Sequence, residues 1–352
     1  MGVDGRVSQL VPVVSGVSQG TILGPVLFLI HIRNLSEGLS DGTKSSSFAD
    51  DTKIWRGVKS KDDYEQLQAD LQSVYSWADT INMAFNSDKF EWIRYALSPD
   101  SAPIFQYLSP DQSAIEQKYS LRDLGVMVSS DLSFYLHIEK AVTSGSKMVG
   151  WAFRSFRNRS SYILLTILKS LVQPHLDYCC QLWCPSSQQQ INRIEKVQKS
   201  LISRICDRRL VGLDYWQKLK ILKVYSQERR RERYVIIFMW KLCQGLATGY
   251  DITFTILDSR TGRKAIPAPV LRAPAFLKNA REGSLRVKGV ALFNSIPISL
   301  RNSDHGDIAM FKNHLDIYLS NIPDQPTTAG LARGAQSNSL LHQIPFYESS
   351  LI

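Results

Sequence analysis

The sequence predicts an α+β chain, on three observations. Short strands and one hairpin are confined to roughly the first hundred of its 352 residues. Apolar residues at helical spacing dominate after about residue 130. The charge also divides. Residues 1–100 carry nine Lys and Arg against thirteen Asp and Glu, whereas residues 190–245 carry fourteen against five, nearly the whole of the net +10. With 44% hydrophobic residues, the chain is long enough for two or three cores. A pI near 9.3 suits a polyanionic partner such as nucleic acid; a solubilising surface charge is the alternative. The opening MGVDGRVSQL has no apolar signal core, and the most apolar run, ILGPVLFLIHI, is too short to span a bilayer. Five cysteines, an odd number, fit free thiols in a reducing compartment. The expectation is an intracellular protein of nucleus or cytoplasm, not secreted and without a membrane partner.

The elements follow in order. VSQLVPVV (7–14) reads as a strand and SGVSQG (15–20) as a turn. TILGPVLFLIHIRNL (21–35) reads as a helix that is apolar on every side and therefore buried, with Pro25 tolerated in the first turn. KSSSFA and TKIWRGV flank Asp50 and Asp51 as a hairpin. Tyr64, Leu67, Leu71, Val74, Ala78 and Ile81 recur at helical spacing behind an acidic first turn. MAFNSDKFEWIRYAL is a turn plus strand, 98–120 a connector, and LRDLGVMVS a single short strand. Four helices follow. Phe134 to Phe156 line the first, Ile163 to Leu171 a second that stops at Pro174, Ile191 to Ile205 a third, and QERRRERYVIIFMWKLCQG is the fourth. Residues 250–325 read as loops with one short helix, AMFKNHLDIYL. The Thr-, Ala-, Gly- and Ser-rich tail after Pro326 reads as disordered.

Two adjacent carboxylates at a hairpin tip usually mean a solvated turn. They also suit Mg²⁺, a hard ion held by one or two carboxylates plus substrate phosphates. Two such ions clamp the attacking and leaving oxygens in phosphoryl transfer. Upstream, Gly16, Gln19 and Gly20 in SGVSQG leave a backbone that a flat nucleotide can approach. Downstream, Lys89 could neutralise or protonate a leaving pyrophosphate.

SGVSQGTILGPVLF, then FADD, then WADTINMAFNSDK, resembles the palm of reverse transcriptases from non-LTR retrotransposons of the jockey and chicken-repeat type. The first stretch matches motif B, with Ser18 where that family usually has proline. FADD matches the catalytic Ala-Asp-Asp, and FNSDK the lysine motif. LRDLGVMVSSDLSFYLHI, VQPHLDYCCQLWCP, INRIEKVQKSLISRI, LKVYSQERRRERY, VKGVALFNSIPISLRN and IPDQP extend the likeness to about residue 326.

The resemblance implies a partial right-hand polymerase palm followed by a mainly helical thumb and C-terminal region. The expected divisions are a partial palm at 1–100, a connector at 101–130, a basic thumb-like domain at 131–245, a C-terminal region at 246–325 and the tail at 326–352. It implies RNA-templated DNA synthesis with Mg²⁺ (or Mn²⁺), an RNA template, a DNA primer and deoxynucleotide triphosphates. Asp50 would ligate metal and Asp51 assist it. Gln19 and Gly20 would shape the nucleotide and template pocket, Phe48 would lie beneath the primer end, and Lys89 would serve the leaving group. Such palms carry a further metal-binding aspartate on a strand before motif B, and Asp4 lacks that context. An N-terminally truncated polymerase, inactive alone, is the expectation, with a non-catalytic nucleic-acid-binding remnant as the alternative.

Arg193, Lys196, Lys199, Arg204, Arg229, Arg230 and Arg233 are the candidates for phosphate contact. A solvated helix face laced with ion pairs is the competing reading. His175, Cys179, Cys180 and Cys184 lack Cys-x-x-Cys spacing, which favours buried thiols beside Trp183 over zinc. Trp183 and Tyr178 read as core.

Overall fold

The computed structural model describes residues 2–3, 6–7, 16–17, 20–95, 105–185, 187–247, 283–301, 307–326 and 338–349. The chain divides into two compact units, residues 1–94 with 98–118, and residues 95–97 with 119–352. Each mixes helices with small two-stranded sheets or is mainly helical, so the chain is α+β as expected.

In the first unit, β1 (Gly2–Val3) pairs antiparallel with β2 (Arg6–Val7). Most of the strand expected at 7–14 lies outside the described residues. Helix α1 (Leu23–Ile32) has Pro25 in its first turn, where no helical hydrogen bond is lost. Its expected burial is corrected. Leu23, Val26, Leu27, Leu29 and Ile30 are all more than half exposed, and only Gly24 and Ile32 are buried. Around it, the described residues of this unit form small sheets and one long helix, too little to cover a helix apolar on every side.

β3 (Thr43–Phe48) and β4 (Asp51–Arg56) form the expected hairpin. Helix α2 (Lys61–Thr80) starts at a capping box between Ser60 and Asp63. It buries Val74, Tyr75 and Ala78. Residues 105–118 pack along it. Gln68 brackets the backbone of Leu108, Tyr75 donates to the Leu108 carbonyl, and the rings of Tyr64 and Phe105 stack at 4.4 Å. β5 (Glu91–Trp92) pairs parallel with β6 (Glu116–Gln117). The later half of the expected connector is therefore packed structure, with Tyr107 and Ile115 buried.

The second unit opens with β7 (Ser120–Asp123) and β8 (Val126–Ser129), a hairpin where one strand was expected. Leu124 (φ 42°) and Gly125 (φ 92°) make a two-residue turn with both φ positive, which suits the strand twist. Helices α3 (Tyr135–Ser155), α4 (Ser161–Ile167), α5 (Gln173–Asp177), α6 (Gln188–Ile202) and α7 (Tyr215–Leu222) enclose a core that includes Ile138, Leu164, Leu168, Leu176, Trp183, Ile194, Leu201 and Leu219. The second helix does not stop at Pro174. A π turn, Leu168–Val172, links α4 to α5, and Pro174 sits in the first turn of α5. There its missing N–H costs nothing.

Helix α8 (Gln227–Cys243) leads into a second core with α9 (Val290–Ser295), α10 (Ile298–Arg301), α11 (Ile308–Ser320) and α12 (Leu340–Ser349). Two expectations are corrected here. Residues 285–295 and 298–301 are helical rather than loop, much of the rest of the expected loop at 250–325 lying outside the described residues, and within the expected tail Leu340 and Ile344 are buried in this core. The polar run before Asn338 hid the apolar anchor Leu340, Leu341 and Ile344. Tyr178 is also half exposed rather than core, its hydroxyl donating to the Leu124 carbonyl at 2.7 Å. Among the described residues no helix is long and apolar enough to cross a membrane.

Candidate functional site

The β3–β4 register places Phe48 directly opposite Asp51, with Ala49 and Asp50 as the two turn residues. Ala49 takes φ 53°, a conformation that costs a side-chain-bearing residue energy. The tight turn projects Asp50 from the end of the ladder. One hairpin face carries Thr43, Ser45, Thr52, Ile54 and Arg56, all partly covered. The other carries Phe48, Asp51, Lys53 and Trp55, all exposed. Asp50, Asp51 and Phe48 thus share one solvent-facing tip.

What holds the tip is at its base. Asp70, buried on α2, accepts hydrogen bonds from the Ser40 amide (2.9 Å), the Ser40 hydroxyl (2.8 Å) and the Thr43 hydroxyl (2.5 Å). Burial opposes its ionisation, but these bonds hold the carboxyl below the usual carboxylate range. Arg56 Nη1 donates to the Asp41 carbonyl and the Thr43 hydroxyl, both at 2.9 Å, and the guanidinium lies 3.6 Å from Asp63. Asp70 and Arg56 were missed in the sequence. The available signal was a carboxylate on the otherwise apolar face of α2.

Lys89 ends a short 3₁₀ turn, Ser87–Lys89, and is exposed. The turn is fixed by Asn86, which accepts from the Asp88 amide, and by a ring cluster of Tyr75, Phe85 and Phe90 with centroids 5.6–6.0 Å apart. No recorded contact among the described residues joins Lys89 to the hairpin tip. Gly20 (φ 78°) is exposed, with open space where a Cβ would stand. Gln19 lies outside the described residues.

The donor set at the tip fits Mg²⁺ as a pair of hard carboxylates, with phosphate and water oxygens to complete the shell. Among the described residues no group of three or more His, Cys, Asp or Glu side chains is placed to hold a metal ion. All five cysteines are free thiols, and burial pushes Cys180 up to about 11.

The basic candidates separate sharply. Arg229 is fully buried and donates to the carbonyls of Ile322 (3.3 Å) and Pro323 (2.9 Å). Its expected contact with phosphate is corrected, because α8 lies between the two cores. Arg230 pairs with Asp177 at 2.7 Å, Arg233 with Asp316 at 2.5 Å, and Arg193 with Glu139. Lys196, Lys199 and Arg204 are exposed. Lys199 sits 5.5 Å from the Tyr215 ring and Arg204 4.4 Å from that of Phe153.

Residues 2–128 match the family described as reverse transcriptase (RNA-dependent DNA polymerase). The chain is 25% identical over 215 residues, 58% of its length, to the RNA-directed DNA polymerase from mobile element jockey of Drosophila melanogaster. It is 25% identical over 224 residues, 61% of its length, to the probable RNA-directed DNA polymerase from transposon X-element of the same species. The jockey polymerase of Drosophila funebris is also 25% identical, over 57% of the chain. These matches cover 23%, 24% and 23% of the relatives, so the chain spans about a quarter of their length. No solved structure matches the chain.

Proposed function

We propose, from the match of residues 2–128 to the reverse transcriptase family and the similarity of the chain to retrotransposon polymerases, that its hairpin tip serves RNA-templated DNA synthesis. The observation that carries this is the Phe48–Asp51 register, which gathers two carboxylates and an aromatic ring on one exposed tip inside the family match. In this reading the 3′-hydroxyl of a DNA primer attacks the α-phosphorus of a deoxynucleotide triphosphate paired with the RNA template. A phosphodiester bond forms and pyrophosphate leaves. Asp50 and Asp51 would hold Mg²⁺, which when bound supplies charge stabilisation to the phosphates. Phe48 would support the primer end, Gln19 and Gly20 would border the nucleotide, and Lys89 would offset charge on the leaving pyrophosphate. The first unit then corresponds to part of a polymerase palm and the helices after residue 130 to a thumb-like region.

A second reading, nucleic-acid binding without catalysis, is favoured by the exposed cations Lys196, Lys199 and Arg204. One experiment separates the two. Primer extension on an RNA template is compared for the wild-type chain and Asp50→Asn, beside filter binding over a salt series. The catalytic reading expects the variant to lose about 100-fold or more in extension rate with binding unchanged. Equal extension by both proteins overturns it. A wild-type chain that binds in a salt-sensitive way but extends nothing selects the second reading.

A further inference from the structure

The second unit holds a cleft of about 480 Å³ that the proposed polymerase chemistry does not use. One wall is a single face of α6, formed by Gln188, Asn192, Glu195, Lys196 and Lys199. Facing it are Tyr215 and Trp216 in the first turn of α7, with ring centroids 5.0 Å apart. A capping box between Asp214 and Gln217 fixes that turn, so the rings are presented by a rigid backbone. Tyr215 is anchored further, since its hydroxyl donates to Glu195 and accepts from Gln198 Nε2 at 3.1 Å.

The cleft has a charge pattern of its own. Glu195 is already engaged by Tyr215 and by the Gln227 amide at 2.7 Å. Burial, outweighing those bonds, pushes its carboxyl up to about 7, so near neutrality it repels an anion less than a free carboxylate would. Among the described residues, neither Lys196 nor Lys199 lies within 4 Å of a carboxylate. Both are exposed, one turn apart at the mouth. The cleft thus combines two exposed ammonium groups, that of Lys199 lying 5.5 Å from the Tyr215 ring, with a half-buried indole and the side-chain amides of Gln188 and Asn192, while Glu228, the other carboxylate of its lining, is buried and accepts from the Asn338 amide at 2.9 Å. The volume falls in the range of about 300–1,000 Å³ typical of small-ligand sites.

We infer that this cleft receives a single unpaired nucleotide of an RNA strand, its phosphate on Lys196 and Lys199 and its base against Trp216. Aromatic stacking tolerates any base, and unpaired bases are the ones free to splay into such a site. The inference rests on the reading that the helical unit binds nucleic acid, and extends it by naming strand state and pocket.

The test uses the full chain and a labelled single-stranded RNA of about 12 nucleotides, alone and annealed to its complement. Anisotropy titrations compare wild type with Trp216→Leu, which keeps apolar volume but removes the stacking ring. A Lys196→Gln/Lys199→Gln double variant and a Lys220→Gln/Lys223→Gln control complete the set, with circular dichroism to confirm folding. Trp216→Leu is expected to weaken single-strand binding about 5-fold to 100-fold and leave duplex binding unchanged. The first lysine pair, which holds one phosphate, should lower the salt slope by about 0.7, and the control pair should not. Adenosine monophosphate should compete with the single strand on the wild type only. If the wild type binds RNA but Trp216→Leu and the first lysine pair match it, the cleft assignment is overturned and the nucleic-acid reading survives. If Trp216→Leu loses single strand and duplex equally, recognition of an unpaired base is overturned. If the wild type binds neither RNA, both fall.

Discussion

FADD at 48–51 and ERRRER at 228–233 are both charged short stretches, and the fold treats them oppositely. The aspartates stand on a solvent-facing turn with their ring neighbour Phe48 67% exposed. Much of the basic run is inside. Arg229 and Glu232 are fully or almost fully buried, and Arg231 is 6% exposed, its guanidinium 3.6 Å over Trp183 and donating to the carbonyls of Leu176 and Trp183. Glu232 accepts from Ser339 and the Leu340 amide and meets Lys288 at 3.1 Å, tying α8 to the C-terminal helix. Charges placed in the interior bond to backbone carbonyls, hydroxyls and one another and hold the architecture together, although Arg229 Nε has no hydrogen-bond partner among the described residues. Charges left at the hairpin tip remain free for external chemistry. Charge density in a sequence therefore marks an important segment without saying which side of the surface it occupies.

The contrast can be broken most forcefully at Arg231. Arg231→Ala leaves two buried carbonyls without donors and a cavity against Trp183, and is expected to lower unfolding free energy by about 3–5 kcal/mol. Urea denaturation checks this; a change typical of a surface arginine would return the run to a solvated face. Next comes Asp70, which fastens the hairpin base. Asp70→Ala is expected to cost about 2–3 kcal/mol. It should also raise amide exchange across Thr43–Arg56, while the helices of the second unit keep their protection.

A pH profile sharpens the interior half of the comparison. Burial first, then Arg231 and Lys140, pushes His137 down to about 4. Its folded value lies below the unfolded one, so its contribution is present above about 6.5 and lost as pH falls toward 4. Glu195 acts in the opposite sense. Its value is raised to about 7, so stability present below its usual 4.5 is lost as pH climbs through 7. Unfolding midpoints across this range should flatten on the acid side in His137→Asn and on the neutral side in Glu195→Gln. Profiles identical to wild type would contradict both assignments.

The smallest expected change in stability is at the tip. Asp50→Asn should shift unfolding free energy by no more than about 0.5 kcal/mol. A larger loss would mean that the aspartates, like the arginines, are structural.

The hairpin was legible from the sequence because two short segments, KSSSFA and TKIWRGV, flank the paired aspartates, and α2, α3 and α6 were legible from apolar spacing. What escaped depends on neighbours that a linear pattern does not contain. The exposure of α1 follows from how little the described part of its unit offers to cover it. The π turn before Pro174 is a three-dimensional accommodation. The burial of Arg229 depends on Ile322 and Pro323, more than 90 residues away in sequence. Asp70 stood out only as a carboxylate on an apolar helix face, and its role escaped for the same reason, since its hydrogen-bond partners Ser40 and Thr43 lie about 30 residues away in sequence.

The central claim is that the hairpin tip is a divalent-metal site, and Mn²⁺ tests it on the chain itself. Alanine methyl groups are isotopically labelled, and the Ala49 signal is assigned with Ala49→Gly. Mn²⁺ is then titrated while methyl line widths are followed. The expected result is selective broadening of Ala49, which lies between Phe48 and Asp50, and its loss in Asp50→Asn/Asp51→Asn. Broadening that spares Ala49, or that persists unchanged in the double variant, would contradict the account.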